Sequence, residues 1–284
     1  MKVLVTGVTG QLGYDCVREL EARGIACRGA ASRDFSLTDC EKARQYIEAY
    51  QPDVILHCAA YTAVDQAEDD AEACEAVNAG GTRILAEICR DLDAKMIYIS
   101  TDYVFPGNGT QFYEPDDGKE PQNVYGRSKL HGEEAVQELL DKYFIVRISW
   151  VFGSNGKNFI RTMLKLSETH DKLTVVADQI GSPTYTRDLA VLLADMAGSD
   201  KYGIYHATNE GICSWAEFAA EIFRQAGKAV KVTPVPSTAY PTKAVRPKNS
   251  RLSKRCLDEA GFSRLPDWQD AVGCYLREIG AVSY

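Results

Sequence analysis

Short apolar runs alternate with longer amphipathic stretches through the first half of the chain. Lys2–Thr6 reads as a strand, and Gln11–Arg23 carries helical periodicity until Gly24 stops it. Ala26–Ala31 follows as a second strand and Thr38–Tyr50 as a helix with Thr38 as its cap. Pro52 precedes a third strand at Asp53–His57. Asp65–Asp93 reads as helix broken near Asn78–Gly81. Lys95–Ser100 is a fourth strand, Val124–Asp141 a long helix and Tyr143–Ser149 a fifth strand. This alternation predicts an α/β fold, a Rossmann-type doubly wound parallel sheet with right-handed crossovers.

After Trp150 the rhythm changes. Segments shorten, and Pro183, Pro234, Pro236, Pro241, Pro247 and Pro266 mark loops. Helices are expected at Arg187–Ala197, Ser214–Ala226 and Asp267–Ile279. The pattern predicts one region over 1–150, rejoined by segments at roughly 180–205, and a smaller interleaved α/β region over 151–284.

Composition narrows the classes. The 284 residues are 45% hydrophobic and 25% charged, as in an ordinary globular chain. No apolar run approaches the about 20 residues of a membrane span. The N-terminal residues pass straight into a strand pattern with no apolar targeting segment, so a cytoplasmic location is expected. A net charge of −8 argues against nucleic acid as a partner. Nine cysteines are scattered without a C-x-x-C pair, which fits small packed side chains in a reducing compartment rather than disulfides. Four histidines lack metal-ligand spacing, and no metal ligands are assigned. The acidic run Asp65–Glu75 reads as a solvated helix face.

The first candidate chemistry lies directly after the first strand, in Gly7-Val-Thr-Gly10-Gln-Leu-Gly13. A glycine turn between strand and helix lets backbone approach a pyrophosphate, with the helix N-terminus facing its charge. At this position it points to dinucleotide binding over residues 1–150. The second strand ends in Ala31-Ser32-Arg33-Asp34, without a carboxylate where NAD users place one for the ribose. Ser32 and Arg33 suit a 2′-phosphate, which favours NADPH; Asp34 lies near enough to keep NADH open. Asp34 and Phe35 are candidate adenine contacts. His57 ends the third strand and reads as a packed residue rather than a base.

The second candidate is a pair. Tyr125 and Lys129 are four apart on the long helix and therefore share a face. The fourth strand ends at Ser100-Thr101-Asp102-Tyr103, on the side where ligands bind in an open parallel sheet. Together these residues suit ketone reduction. Thr101 would hydrogen-bond the carbonyl, Tyr125 would donate the proton, and Lys129 would lower the phenol pKa while holding ribose hydroxyls. Arg246, in the Pro-rich loop Tyr240–Leu252, is a candidate clamp for a substrate diphosphate.

These residues resemble the extended short-chain dehydrogenase/reductase superfamily, and within it most closely the dTDP-4-dehydrorhamnose reductases. The resemblance rests on Thr6–Gly13, Ala59–Glu68, Ser100–Phe105 and Asn123–Glu133, and continues through Arg147–Gly153, Asp178–Thr184 and Tyr240–Pro247. It implies NAD(P)H-dependent reduction of the C4 ketone of dTDP-4-dehydro-6-deoxy-L-mannose to dTDP-L-rhamnose, a step of nucleotide-sugar and polysaccharide biosynthesis. It implies cofactor contacts at Gly10, Gln11, Leu12, Asp34, Phe35, Ala60, Tyr61, Thr62, Tyr125 and Lys129, and substrate contacts at Thr101, Asp102, Tyr125 and Trp150. Mg2+ and a homodimer, known for some members, stay open. Two alternatives also stay open: another nucleotide-sugar epimerase or reductase of the same superfamily, and a non-catalytic cofactor-binding regulatory subunit. Tyr103 stands where related dehydratases carry a second acid for elimination, which favours reduction.

Overall fold

The computed structural model describes residues 1–282, so the last two positions of the expected second region lie outside the described residues. In the first half, β1 (Lys2–Thr6), α1 (Gln11–Ala22), β2 (Ala26–Ala30), α2 (Cys40–Glu48) and β3 (Val54–His57) follow in turn. Next come α3 (Val64–Ala67), α4 (Ala71–Glu75), α5 (Gly81–Asp91), β4 (Lys95–Thr101), α6 (Val124–Leu139) and β5 (Tyr143–Ile148).

The second half holds β6 (Val151–Phe152), α7 (Phe159–Leu166), β7 (Lys172–Val176), β8 (Ile180–Gly181), β9 (Thr184–Tyr185) and α8 (Thr186–Ala197). It continues with β10 (Gly203–His206), β11 (Cys213–Ser214), α9 (Trp215–Gln225), β12 (Lys231–Val235), β13 (Asn249–Ser250), α10 (Arg255–Ala260) and α11 (Trp268–Glu278).

A parallel sheet in the order β10-β5-β4-β3-β1-β2 forms the frame. The inner strands β1, β3, β4 and β5 are buried on both faces, which explains their apolar runs. Val3, Val5, Leu56 and Ile97 face α1 and α8; Leu4, Ile55, Met96 and Ile145 face α2, α5 and α6. The direction of strand addition reverses between β1 and β3, the point where such sheets open a ligand crevice. Residues 186–206, as α8 and β10, return to this sheet, whereas β8 pairs with β11 and β13. A separate core of Phe152, Phe218, Trp268 and Tyr275 organises the remainder of the second half.

Three local readings change. The second helix begins at Cys40, because Asp39 rather than Thr38 accepts from the Lys42 N–H at 3.1 Å. The expected break at Asn78–Gly81 is instead a π turn at Ala76–Gly80 joining α4 to α5, and it turns the buried Asn78 toward α6. The acidic run is not simply a solvated face. Glu68 accepts from the Val124 N–H at 2.8 Å at the start of α6, and Asp65 accepts from Ala244 N at 3.1 Å.

The catalytic-helix candidate α6 starts at an Asn123 cap, whose side chain accepts from Gly126 N at 2.7 Å. Its approach to the sheet requires Gly132. A Cβ there would sit 2.7 Å from the Asn78 carbonyl oxygen and closer still to the Tyr98 hydroxyl. Gly132→Ala should therefore cost about 1–3 kcal/mol of stability through overpacking, measured by chemical denaturation.

Candidate active site

The switch point opens a cleft of about 700 Å3. Gly7, Gly10, Gln11, Leu12 and Gly13 form one wall. A Cβ on Gly13 would come within 2.5 Å of the Gly7 carbonyl oxygen, so the turn closes only on glycine. The N-terminus of α1 has Gly10 as its cap and no side chain bonded to it, leaving its first amides facing the cleft. This uncapped end, set in a tight backbone cradle, fits a dinucleotide pyrophosphate.

Ser32, Phe35, Ala60 and Thr62 also border the cleft. Three expected contacts behave differently. The exposed Arg33 stands outside the lining. The Asp34 carboxylate turns back to accept from Ala31 N at 2.8 Å, closing its own turn. Tyr61 also stands outside the lining, its backbone N–H and carbonyl both bonded by the Asn78 side chain (2.8 and 3.1 Å). Gln11 reaches the cleft, but its side-chain oxygen accepts from Gly153 N at 2.9 Å and Asn158 Nδ2 at 3.0 Å. The sequence reading missed this strap, in which Asn155 also donates to Thr9 O at 3.0 Å and Lys157 borders the cleft.

Thr101, Asp102, Tyr125, Lys129 and Trp150 line the other end of the same cleft, so β4, β5 and α6 bring the expected chemistry together. The Thr101 hydroxyl donates to Asp102 Oδ1 at 3.0 Å, and Ser250 donates to the other carboxylate oxygen. Burial pushes Asp102 up to about 6, against these hydrogen bonds. Ser100, the neighbouring hydroxyl, turns beneath the site and donates to Glu133 Oε1 at 2.5 Å.

The expected depression of the Tyr125 pKa is not found. Burial of the phenol raises it, and the nearby Asp102 carboxylate adds to the rise. Lys129 stands with its Nζ 4.0 Å from the centre of the Tyr98 ring, and burial lowers its own pKa to about 7. Tyr125 is thus a neutral phenol, the form that can donate. His57, as expected, is packed: it bonds Thr6 Oγ1 at 2.8 Å, and burial lowers its pKa to about 3.

Trp150 takes φ of +50°, an uncommon conformation for a bulky residue, as the chain leaves β5. Its ring stacks on Trp215 with centroids 3.8 Å apart. Together with Tyr103 it borders both the first cleft and a second cavity of about 1030 Å3. Arg246 lies in the second cavity rather than the cleft. Its Nη2 bonds Asp65 Oδ2 at 2.6 Å and its Nη1 faces Tyr103 Oη at 3.4 Å. Among the described residues no group of three His, Cys, Asp or Glu side chains converges as a metal site, and no helix is long and apolar enough to cross a membrane.

A parallel sheet with this glycine turn, a strand-end threonine and Tyr125-x-x-x-Lys129 defines an extended short-chain dehydrogenase/reductase. The family described as RmlD substrate binding domain matches residues 1–280, and the chain belongs to it. It is 42% identical to the spore coat polysaccharide biosynthesis protein SpsK of Bacillus subtilis (strain 168), covering 98% of this chain and 97% of that protein. It is 38% identical to the dTDP-4-dehydrorhamnose reductase of Escherichia coli (strain K12), covering 98% of each. A dTDP-4-dehydrorhamnose reductase from Bacillus anthracis str. Ames, solved in complex with NADP, superposes with a TM-score of 0.95 at 40% identity, over 98% of this chain and 99% of that one.

The buried His57 makes a pH-dependent contribution with a defined sign. Its folded pKa lies below its unfolded value near 6.5, so the unfolded chain takes up the proton first on acidification. The stability it confers is complete above pH 6.5 and is lost as pH falls toward 3. The stability gap between wild type and His57→Asn should therefore narrow by up to about 1.4 kcal/mol per pH unit below 6.5, measured by urea denaturation at several pH values.

Proposed function

We propose that the protein reduces the C4 ketone of dTDP-4-dehydro-6-deoxy-L-mannose to give dTDP-L-rhamnose, with NADPH as the preferred reductant. The observation that carries this reading is the meeting of two cavities at the reactive side chains. Tyr103 and Trp150 border both spaces, and Thr101, Tyr125 and Lys129 lie on the cleft side of that border, the Tyr125 ring centred 5.6 Å from that of Tyr103. A dinucleotide on the glycine turn and a nucleotide sugar in the second cavity would face each other there. The family membership and the reductase names of the relatives support the same chemistry.

When bound, the reduced nicotinamide supplies the hydride. The protein's own part is orientation and proton delivery. The neutral Tyr125 phenol gives its proton to the carbonyl oxygen, and the Thr101 hydroxyl fixes that oxygen once it exchanges its bond to Asp102 for one to substrate. The buried Lys129 ammonium stabilises negative charge as it develops and holds ribose hydroxyls. Arg246 would leave Asp65 for the substrate diphosphate, and the Trp150 ring would pack on the sugar or the base.

Ser32 at the cleft and the engaged carboxylate of Asp34 favour a 2′-phosphate over a free ribose hydroxyl. Residues 1–150 with 186–206 then serve the cofactor, and the rest of 151–284 serves the sugar nucleotide. The same reading places the reaction in the cytoplasm, as a supply of rhamnosyl donor for polysaccharide synthesis. Light scattering with EDTA and with Mg2+ tests for a homodimer and for its dependence on metal.

Product analysis with the dTDP-4-keto-6-deoxy sugar and each reduced nicotinamide tests the activity directly. Stoichiometric NAD retained on the purified protein, without net reduction, would point to the epimerase. Bound cofactor without turnover of any keto sugar would point to a regulatory subunit. Tyr125→Phe should lower turnover by about 10²-fold or more while NADPH affinity stays within a few-fold. Arg246→Ala should raise KM for the nucleotide sugar far more than it weakens NADPH binding; equal effects on both would remove Arg246 from the clamp.

A further inference from the structure

Tyr125, Lys129 and Glu133 follow one another at four-residue intervals on α6 and so share one helix face. The first two reach the cleft; the third is 1% exposed and lies beneath it. Its carboxylate is fully engaged from the sheet. Oε1 accepts from Ser100 Oγ at 2.5 Å and Arg147 Nε at 2.8 Å, and Oε2 accepts from Arg147 Nη2 at 2.6 Å. Arg147 is 0% exposed and continues to the Pro115 carbonyl at 2.9 Å. A carboxylate so deeply desolvated is costly to keep as a mere link between helix and sheet. Its place one turn beyond the lysine gives it a second effect.

We propose that Glu133 is a positioning residue for the reaction, its carboxylate held by Arg147 and Ser100 so that the amine of Lys129 stays protonated inside the dry end of the cleft. This rests on the reductase reading, in which Lys129 acts as an ammonium. Burial disfavours the charged amine, and Glu133 is the strongest influence acting the other way. The other groups around Lys129 are the Cys58 thiol after β3, the Cys74 thiol on α4, His57 on β3, the Tyr98 ring on β4 and, one turn before it on α6, Tyr125. The Cys74 thiol is occupied by Ser128 at 3.2 Å, and its own pKa is raised by burial. His57 is neutral at working pH, and the Tyr98 pKa is raised well above its ordinary value. Paired bidentately with the Arg147 guanidinium, Glu133 is the carboxylate of this set.

The test compares the pH dependence of wild type, Glu133→Gln, Glu133→Asp and the double variant Glu133→Gln/Arg147→Met. The double variant removes both buried charges together and so protects against a failure to fold caused by an uncompensated guanidinium. Two quantities are read for each: turnover of the keto sugar nucleotide with saturating NADPH, and the NADPH dissociation constant without sugar. The alkaline limb of both profiles should move to lower pH by about one unit in Glu133→Gln and in the double variant. The ratio of activity at pH 6.5 to that at pH 8.5 should then rise up to about tenfold, and Glu133→Asp should shift the limb by less. A uniform loss of activity in which the limbs coincide with wild type would make Glu133 a structural residue only and overturn the proposal. Absence of turnover by wild type would instead defeat the reductase reading, while the NADPH profile would still decide the role of Glu133.

Discussion

The ion pair between Arg147 and Glu133 is the interaction on which the site depends. Both side chains are withdrawn from water, and their mutual attraction offsets that desolvation only because the geometry is bidentate and Ser100 and Pro115 satisfy further bonding positions. The pair ties β5 to α6, while Ser100 adds β4 and Pro115 adds the loop between them. Tyr125 and Lys129 are therefore presented at the end of β4 by a helix that cannot rotate or slide without exposing a buried charge. Packing alone, as with Val136 against the sheet, would hold the helix but not fix its register so narrowly.

On this frame the electrostatics of the cleft divide into two opposed regions. Lys129 is a cation made weaker by burial, and Asp102 is an acid also made weaker by burial. The same cleft holds a phenol that keeps its proton. The lysine and the aspartate are disfavoured in their charged forms by the same dry surroundings, and specific neighbours oppose that in part: Glu133 for the lysine, Ser250 and Thr101 for the aspartate. The Asp102–Ser250 bond has a further consequence. It carries a residue of the late β13 segment to the end of β4, so the second half of the chain takes part in setting the acid–base chemistry of the first.

The two halves are joined by polar straps as much as by packing. The segment after β6 crosses the glycine turn through Gln11 and Asn155, and the loop containing Ala244 and Arg246 docks on Asp65. Trp150, forced into a left-handed conformation, turns the chain from the sheet to the second core and lays its ring at the boundary. Ion pairs at partly exposed positions such as Arg246–Asp65 contribute little net stability, so such a strap can exchange one anion for another at modest cost.

Local pattern along the chain suffices for the sheet, the glycine turn and the Tyr125–Lys129 face. These follow from periodicities of two and 3.6 residues and from glycine's lack of a side chain, all of which are local. It also located the Thr101–Asp102 strand end, because ligand crevices in open parallel sheets form at strand carboxyl ends. What each polar group bonds to depends on packing between distant segments. The Asp34 carboxylate was spent on its own turn, Gln11 on a segment over 140 positions away, and the acids of the Asp65 run on α6 and the Ala244 loop. Packing also decided the sign of the Tyr125 shift, which sequence spacing placed the wrong way. Neighbour identity is written in the chain, but burial depends on every element that packs around a group, and here burial, with the Asp102 carboxylate, sets the sign.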